Sequence, residues 1–192
     1  MYNIITIVTT LFILISAGGC GNYTIRYINP NANFSYIKKV AVLPFNNLSD
    51  DKFAGERVRS ILMVELMSRH VFDVIEQGEV TRVLNMIFRE EGFEEGRAIQ
   101  VDKKTLNLIG ERLGVQAVIL GSVDEYGGSR YGGGSVVSIS LRMLDASSGI
   151  VLWQANTVET GTNVWRKIIG LEEVDRSILT RNAIKKLLNT LL

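Results

Sequence analysis

The sequence predicts an α/β (mixed α+β) domain in which helices pack on a mixed five-stranded sheet. Residues 40–45 and 117–123 form short runs that are almost wholly apolar, which is typical of strands buried on both faces. Residues 137–143 alternate apolar and polar side chains, which indicates a strand with one buried face. Segments with apolar residues at helical spacing lie between these runs, so the predicted order is β-α-β-α-α-β-β-β-α.

The first half of this domain is predicted to hold two strands and two helices. After the strand at residues 40–45, a helix is expected from about Phe53 to Ser68, followed by a second strand at residues 71–75. This β-helix-β order favours a parallel pair of strands. The next helix is expected from about Glu79 to Glu90, because apolar residues recur there at helical spacing. They are Val80, Val83, Leu84, Ile87 and Phe88.

The second half is predicted to hold a helix, three strands and a closing helix. Asp102 is placed to cap the helix that precedes the third strand. The glycine-rich residues 126–135 are expected to form a flexible loop before the fourth strand. A hairpin turn at residues 145–149 leads to the fifth strand at residues 150–158. The last helix is expected from about residue 174 to 192.

The N-terminus carries an apolar run at residues 4–15, followed by small residues and then Cys20. The run is shorter than the roughly 20 residues of a membrane span, and its pattern is typical of a secretory signal. Cysteine directly after Ala17-Gly18-Gly19 resembles a bacterial lipoprotein lipobox. The resemblance implies cleavage between Gly19 and Cys20 and multiple acylation of Cys20. An ordinary secreted leader with a chance cysteine and an uncleaved membrane anchor are the alternatives.

The predicted domain organisation follows from this leader. Residues 1–19 are expected to be the signal peptide, residues 20–36 a lipidated tether, and residues 37–192 a single domain. The tether is predicted because residues 21–36 are rich in Asn and Tyr and show no sustained period. The alternative is an edge segment packed on the domain. Its packing residues would be Tyr27, Phe34 or Tyr36.

Composition limits the classes of function. The 192 residues include 21 Lys and Arg and 20 Asp and Glu, which gives a net charge of +1 and no clustered basic excess for nucleic acid. Cys20 is the only cysteine, so no disulfide within the molecule is available, and lipidation explains a lone thiol in an exported chain.

The sequence is poor in catalytic residues. Its one histidine, His70, ends the first predicted helix, where the helix dipole favours it. No Gly-x-Ser-x-Gly motif occurs, and one histidine with one cysteine cannot supply the nitrogen and sulfur ligands of a zinc site. The glycine-rich residues 127–134 lack the Gly-Lys-Ser/Thr ending of a phosphate loop. We therefore expect no enzyme, no metal and no cofactor, with an envelope hydrolase built on carboxylates as a remote alternative.

Residues 161–170 form the candidate contact surface. This segment is flanked by glycines and holds Trp165, Ile168 and Ile169. Tryptophan is enriched at binding hot spots and at membrane interfaces, so the segment is predicted to meet a partner or a membrane. The alternative is that Trp165 caps the open end of the sheet.

Four motifs resemble the CsgG-like periplasmic lipoproteins. They are VAVLPFNNLS at residues 40–49, FDVIE at 72–76, LGVQAVILGSV at 113–123, and VSISLRMLDASSGIVL at 137–152. The likeness covers about Lys38 to Thr160, together with the final helix and the lipobox. These motifs are signatures of the fold, and they bring no active site with them.

The resemblance implies a function in the bacterial envelope. The curli secretion protein that names the family forms an oligomeric outer-membrane pore, and each subunit adds two long hairpins. In this sequence residues 126–135 and 161–170 lie at the positions of those two hairpins. Both segments are too short for such hairpins, so no pore is expected from this chain alone. Gly21 after the cysteine favours the outer membrane, because Asp there commonly marks inner-membrane retention.

The expected role is that of a lipid-anchored interaction protein on the periplasmic face. It would be an accessory of an envelope assembly or secretion system, with envelope protein partners and self-association into a homo-oligomer. The alternative function is activation of a peptidoglycan synthase.

Overall fold

The computed structural model describes residues 23–91, 101–128, 134–161 and 174–191. Within these ranges four helices pack on a mixed sheet of seven strands, which confirms the predicted fold class. The strands are β1 (Thr24–Ile28), β2 (Lys39–Val42), β3 (Asn46–Asn47), β4 (Asp73–Val74), β5 (Ala117–Gly128), β6 (Ser135–Asp145) and β7 (Val151–Thr160). The helices are α1 (Ala54–Arg69), α2 (Gln77–Glu91), α3 (Lys103–Leu113) and α4 (Arg176–Leu188).

The strand order in the sheet is β1-β7-β6-β5-β2-β4, and the short β3 pairs with β5. β2 and β4 are parallel and are joined through α1, as the β-helix-β order predicts. β5, β6 and β7 form an antiparallel meander. The apolar run at residues 40–45 supplies β2, but the strand stops before Pro44. Proline has no backbone N–H for the ladder, so pairing with β5 resumes only at β3.

Two layers of helices explain the two kinds of strand. α1 and α4 pack on one face of the sheet, and α2 and α3 pack on the other face over β2 and β5. Along β5, for example, Ile119 faces α1 and α4, whereas Val118 faces α2 and α3. β2 and β5 are therefore apolar on both faces. β7 largely alternates, and β6 has an apolar face toward α4 and polar residues such as Ser140 and Arg142 on the other face.

The sheet extends beyond its predicted limits at the N-terminus. β1 lies within the segment interpreted as a tether, and it pairs antiparallel with β7 at the edge of the sheet. The hydroxyls of Thr24 and Thr157 are hydrogen-bonded at 2.8 Å between Oγ1 atoms, and Phe34 packs against the core. This part of the segment therefore matches the alternative, an edge segment packed on the domain.

The loop expected at residues 126–135 is shorter in the structure. Tyr126 is buried in the core, and Gly127 and Gly128 still pair with Val136 and Ser135. Only residues 129–134 lie between the two strands. The glycines suggested a loop, but pairing with β6 extends the strand through them.

The helix ends follow local sequence signals. Asp102 caps α3 by accepting a hydrogen bond from the Thr105 N–H at 2.8 Å, as predicted. α3 ends at Gly114, whose φ of 63° lies in the left-handed region. His70 ends α1, and its Nδ1 lies 2.9 Å from the Ser68 carbonyl oxygen. None of the helices in the described ranges combines the length and apolarity that a membrane crossing requires.

Candidate interaction surfaces

The outward side of α1 carries apolar residues that nothing in the described chain covers. Val58, Leu62 and other residues facing the sheet are buried, yet Val64 is 61% exposed and Met67 is 48% exposed. Phe53, at the start of the helix, is also exposed and lies on the same side by helical spacing. We call Phe53, Val64 and Met67 the α1 outer face. Val64 and Met67 are one turn apart and therefore form a small apolar patch on the solvent side of α1, and such a patch suits a partner.

Charged pairs surround the α1 outer face. Between Phe53 and Val64, Arg57 Nη1 lies 2.8 Å from Asp51 Oδ2. Toward α4, Arg69 Nη2 donates to Asn189 Oδ1 at 2.8 Å, and Lys185 is near Glu65. Exposed pairs of this kind contribute little to stability. Their position gives the apolar face a polar rim, which is the anatomy of a protein–protein interface.

A second exposed surface lies at the opposite edge of the sheet. Ile25 and Tyr27 in the edge strand β1, and Tyr23 directly before it, alternate along the chain and therefore share one side. Ile25 is opposite Asn156 and is 64% exposed, and Tyr27 is opposite Gln154. We call Tyr23, Ile25 and Tyr27 the β1 face. It lies on the side of α2 and α3, but these helices cover β2 and β5 and leave β1 open.

A polar network lies on the same side of the sheet, across β5, β6 and β7. Asp124 Oδ1 accepts a hydrogen bond from Ser122 Oγ at 2.7 Å, and its Oδ2 accepts from Ser140 Oγ at 2.8 Å. Asn156 Nδ2 donates to Ser140 Oγ at 2.9 Å. Asp124 follows Ser122 by the two-residue alternation of β5, and the β-bulge between Val123 and Glu125 changes the face only of the residues after it. Sequence reasoning missed the network because its members come from three strands.

This network lines part of an open cavity of about 170 Å³, between the sheet and the chain that follows β2. Arg142, Gln154 and Asn46 contribute to the lining. The hydroxyls of Ser122 and Ser140 both donate to the carboxylate of Asp124. The network can offer hydrogen bonds to a polar group.

Buried charge elsewhere has a structural explanation. Arg59 on α1 is only 7% exposed, and its Nε and Nη2 donate to the Val42 carbonyl oxygen at 3.2 and 2.7 Å. Burial lowers the pKa of Arg59 from its ordinary value, while nearby Glu76 and Glu56 act in the opposite direction. These bonds fix α1 against the end of β2.

The predicted site residues fall outside the described ranges. Gly19 and Cys20 precede residue 23, and Trp165, Ile168 and Ile169 lie between residues 161 and 174. Cleavage, lipidation and the contact surface at residues 161–170 therefore stay predictions. Among the residues that the structure describes, no three His, Cys, Asp or Glu side chains are grouped to hold a metal ion.

Comparison with known proteins adds a fold-level relationship. No protein-family model matches the sequence, and no curated protein matches it. Among solved structures, a single-residue variant of the PelC dodecamer from Paraburkholderia phytofirmans matches with a TM-score of 0.59 at 20% identity. The match covers 89% of this chain and 98% of that chain. The chain shares the fold of PelC.

Two further solved structures are similar. Lipoprotein GNA1162 from Neisseria meningitidis matches with a TM-score of 0.51 at 19% identity, over 80% of this chain and 99% of that chain. The C-terminal domain of LpoB from Salmonella enterica matches with a TM-score of 0.48 at 13% identity, over 65% and 84%. The first of these, like PelC, shows a fold shared over nearly the whole of the similar chain.

Proposed function

We propose that the protein is a lipid-anchored, non-catalytic subunit of a bacterial envelope assembly or secretion system, related to the CsgG-like lipoproteins. The observation that carries the proposal is the match to PelC, a dodecamer in its crystals, over 98% of the PelC chain. At 20% identity this match supports the fold, and the assembly role is the proposed step. The lipoprotein GNA1162 supports the same reading through its shared fold.

The α1 outer face supports a role in contacts rather than in chemistry. Val64 and Met67 expose apolar area on a helix whose other side is already packed, and charged residues surround them. Large exposed apolar side chains grouped in this way mark protein interaction sites. A second copy or an envelope protein would cover this face in the assembly.

The anchor is the lipid on Cys20. Two or more acyl chains hold a protein stably on a bilayer, whereas one chain holds it weakly. Gly21 directs the lipoprotein to the outer membrane in this proposal, and the domain faces the periplasm. Mass spectrometry of the mature protein is expected to find an acylated N-terminal Cys20. An unmodified product that begins at another residue would contradict the anchor.

Assembly is tested on the purified lipidated protein in detergent by native mass spectrometry. We expect a homo-oligomer, and we expect the double variant Val64→Ser/Met67→Ser to reduce its size. Ile178→Ser on α4, where the side chain is also exposed, is the matched control. Surface changes of this kind shift stability by only about 0.5 kcal/mol, so loss of assembly with an unchanged melting temperature identifies a contact. A wild-type monomer would contradict self-association.

The envelope system to which the protein belongs is identified by capture of partners from an envelope extract. Wild-type protein and the Val64→Ser/Met67→Ser variant are used side by side. Secretion components that are recovered by the wild type and lost from the variant would support the proposal. Recovery of a peptidoglycan synthase in their place would favour the alternative role as a synthase activator.

A further inference from the structure

The β1 face begins almost at the proposed anchor. Only Gly21 and Asn22 separate Cys20 from Tyr23, the first described residue. An extended chain advances at most about 3.6 Å per residue, so Tyr23 lies within roughly 11 Å of Cys20 along the chain. A lipid on Cys20 therefore brings the edge of the sheet to the bilayer and leaves almost no free tether.

We propose that the β1 face docks on the membrane, with Tyr23, Ile25 and Tyr27 in the lipid headgroup region. The proposal rests on the lipid anchor at Cys20. All three side chains are exposed and share one side of an edge strand. Tyrosine is enriched at membrane–water interfaces, where its ring meets apolar chains and its hydroxyl stays in water.

The charge of this part of the chain suits an anionic lipid surface. No Asp or Glu occurs before Asp50, and Arg26 is the one charged residue between Cys20 and Ile37. The residues of β7 directly opposite Ile25 and Tyr27 are the uncharged Asn156 and Gln154. Arg26 lies on the other side of β1, opposite Ala155, and no acidic residue of this segment opposes the approach to anionic headgroups.

The size of the patch favours lipid over a second copy. A stable protein–protein interface buries about 800 Å² on each partner, with roughly 20–30 residues a side, whereas the β1 face has three large side chains. A nearby lipid removes the need for high intrinsic affinity, because it holds the patch at the surface continuously.

Docking through the β1 face would orient the whole domain. α1 packs on the opposite side of the sheet from the β1 face, over β5, β3 and β4 rather than β7. The α1 outer face would consequently point away from the bilayer, toward partners in the periplasm. Lipid contact and protein contact would then use different sides of the molecule.

The test uses the lipidated full chain in vesicles of phosphatidylethanolamine and phosphatidylglycerol. A single new cysteine is labelled with an environment-sensitive fluorophore at Ile25→Cys, with Tyr27→Cys as a second site and Val64→Cys as the control. Acylated Cys20 does not react with the label, so each variant carries one fluorophore. Flotation with the vesicles reports the anchor, and quenching reports the docking.

We expect nitroxide lipids to quench the labels at positions 25 and 27 several-fold more than the label at 64. Aqueous iodide should show the reverse order. Flotation with equal iodide quenching at all three sites would overturn the docking and leave the anchor intact. Protection from iodide without quenching by nitroxide lipids would assign the β1 face to a second copy and overturn the docking. Failure to float would overturn the anchor and the docking together.

Discussion

Tyr36 donates a hydrogen bond from its phenol to the carboxylate of Asp145, at the turn between β6 and β7. Asp145 also accepts bonds from both the N–H and the hydroxyl of Ser147 and of Ser148. Burial alone would raise the pKa of Asp145, but these bonds, led by the one from Tyr36, hold it well below its usual range. Burial, with the bond to Asp145 and its charge, raises the pKa of Tyr36 to about 12.

Tyr36→Phe should therefore lower stability near neutral pH and remove part of its pH dependence. A hydrogen bond to a charged group is worth about 1.5–3 kcal/mol, and the partial exposure of Tyr36 places the expected loss near 1 kcal/mol. The pKa of Tyr36 is raised on folding, so its contribution is complete below about pH 10 and is lost as pH rises toward 12. Urea unfolding at neutral and alkaline pH measures both effects.

The contribution of Asp145 to stability has the opposite pH dependence, and it appears at acid pH. Folding depresses its pKa, so its contribution to stability is present above about pH 4 and is lost as pH falls through the folded-state value.

For the Tyr36→Phe prediction, Tyr27→Phe on the exposed edge strand is the control for removal of a phenol as such. Equal stability of wild type and Tyr36→Phe at neutral pH, or parallel loss of stability above pH 10, would show that the bond contributes nothing.

Gly121→Ala should destabilise the domain through one specific overlap. Gly121 lies in β5 beneath the ring of Phe45, and an added β carbon would overlap that ring. Forcing extra volume into a packed site costs about 1–3 kcal/mol. Gly127→Ala in the same strand is the matched control, since its β carbon would meet nothing within 4 Å. Thermal unfolding compares the two variants.

Phe45→Leu combined with Gly121→Ala should recover part of the loss, because a smaller side chain leaves room for the new methyl group. Equal melting temperatures for Gly121→Ala and Gly127→Ala would mean that the ring of Phe45 moves aside without cost.

Local signals made the helices and the central strands predictable from sequence. Asp102 and Gly114 mark the two ends of α3, and the almost wholly apolar residues 117–123 mark a strand covered on both faces. β1 was not predicted as a strand, because its five residues lie in an Asn- and Tyr-rich segment without a sustained period and none of them is buried. Its partner β7 lies far along the chain, and pairing at that separation leaves no local pattern.

The candidate surfaces were less predictable for the same reason. Val64 and Met67 are apolar residues within α1, yet α4 and the sheet together cover only the other side of this helix. Which apolar residues remain exposed depends on how elements pack, and spacing within one helix does not contain that information. The bonds of Asp124 with Ser122 and Ser140 likewise depend on the register of β5 and β6.

The two tryptophans of the chain should respond differently to replacement by alanine. Trp153 in β7 is completely buried, and its Nε1 donates to Thr190 Oγ1 at 2.9 Å, just beyond α4. Trp153→Ala should cost about 3–5 kcal/mol, since it empties a large core site and leaves the packing of α4 incomplete. Trp165, in the candidate contact segment, is predicted to serve binding instead.

Trp165→Ala should therefore leave the melting temperature nearly unchanged and weaken association with the partner or with vesicles. Trp153→Ala in the same assays defines the response of a core tryptophan. Trp153→Phe removes the hydrogen bond but keeps most of the ring volume, so it should cost less than Trp153→Ala. Thermal unfolding and co-sedimentation with vesicles, run on each variant, distinguish the roles. A melting temperature for Trp165→Ala as low as that of Trp153→Ala, with association intact, would make Trp165 a cap on the sheet and reject the contact surface at residues 161–170.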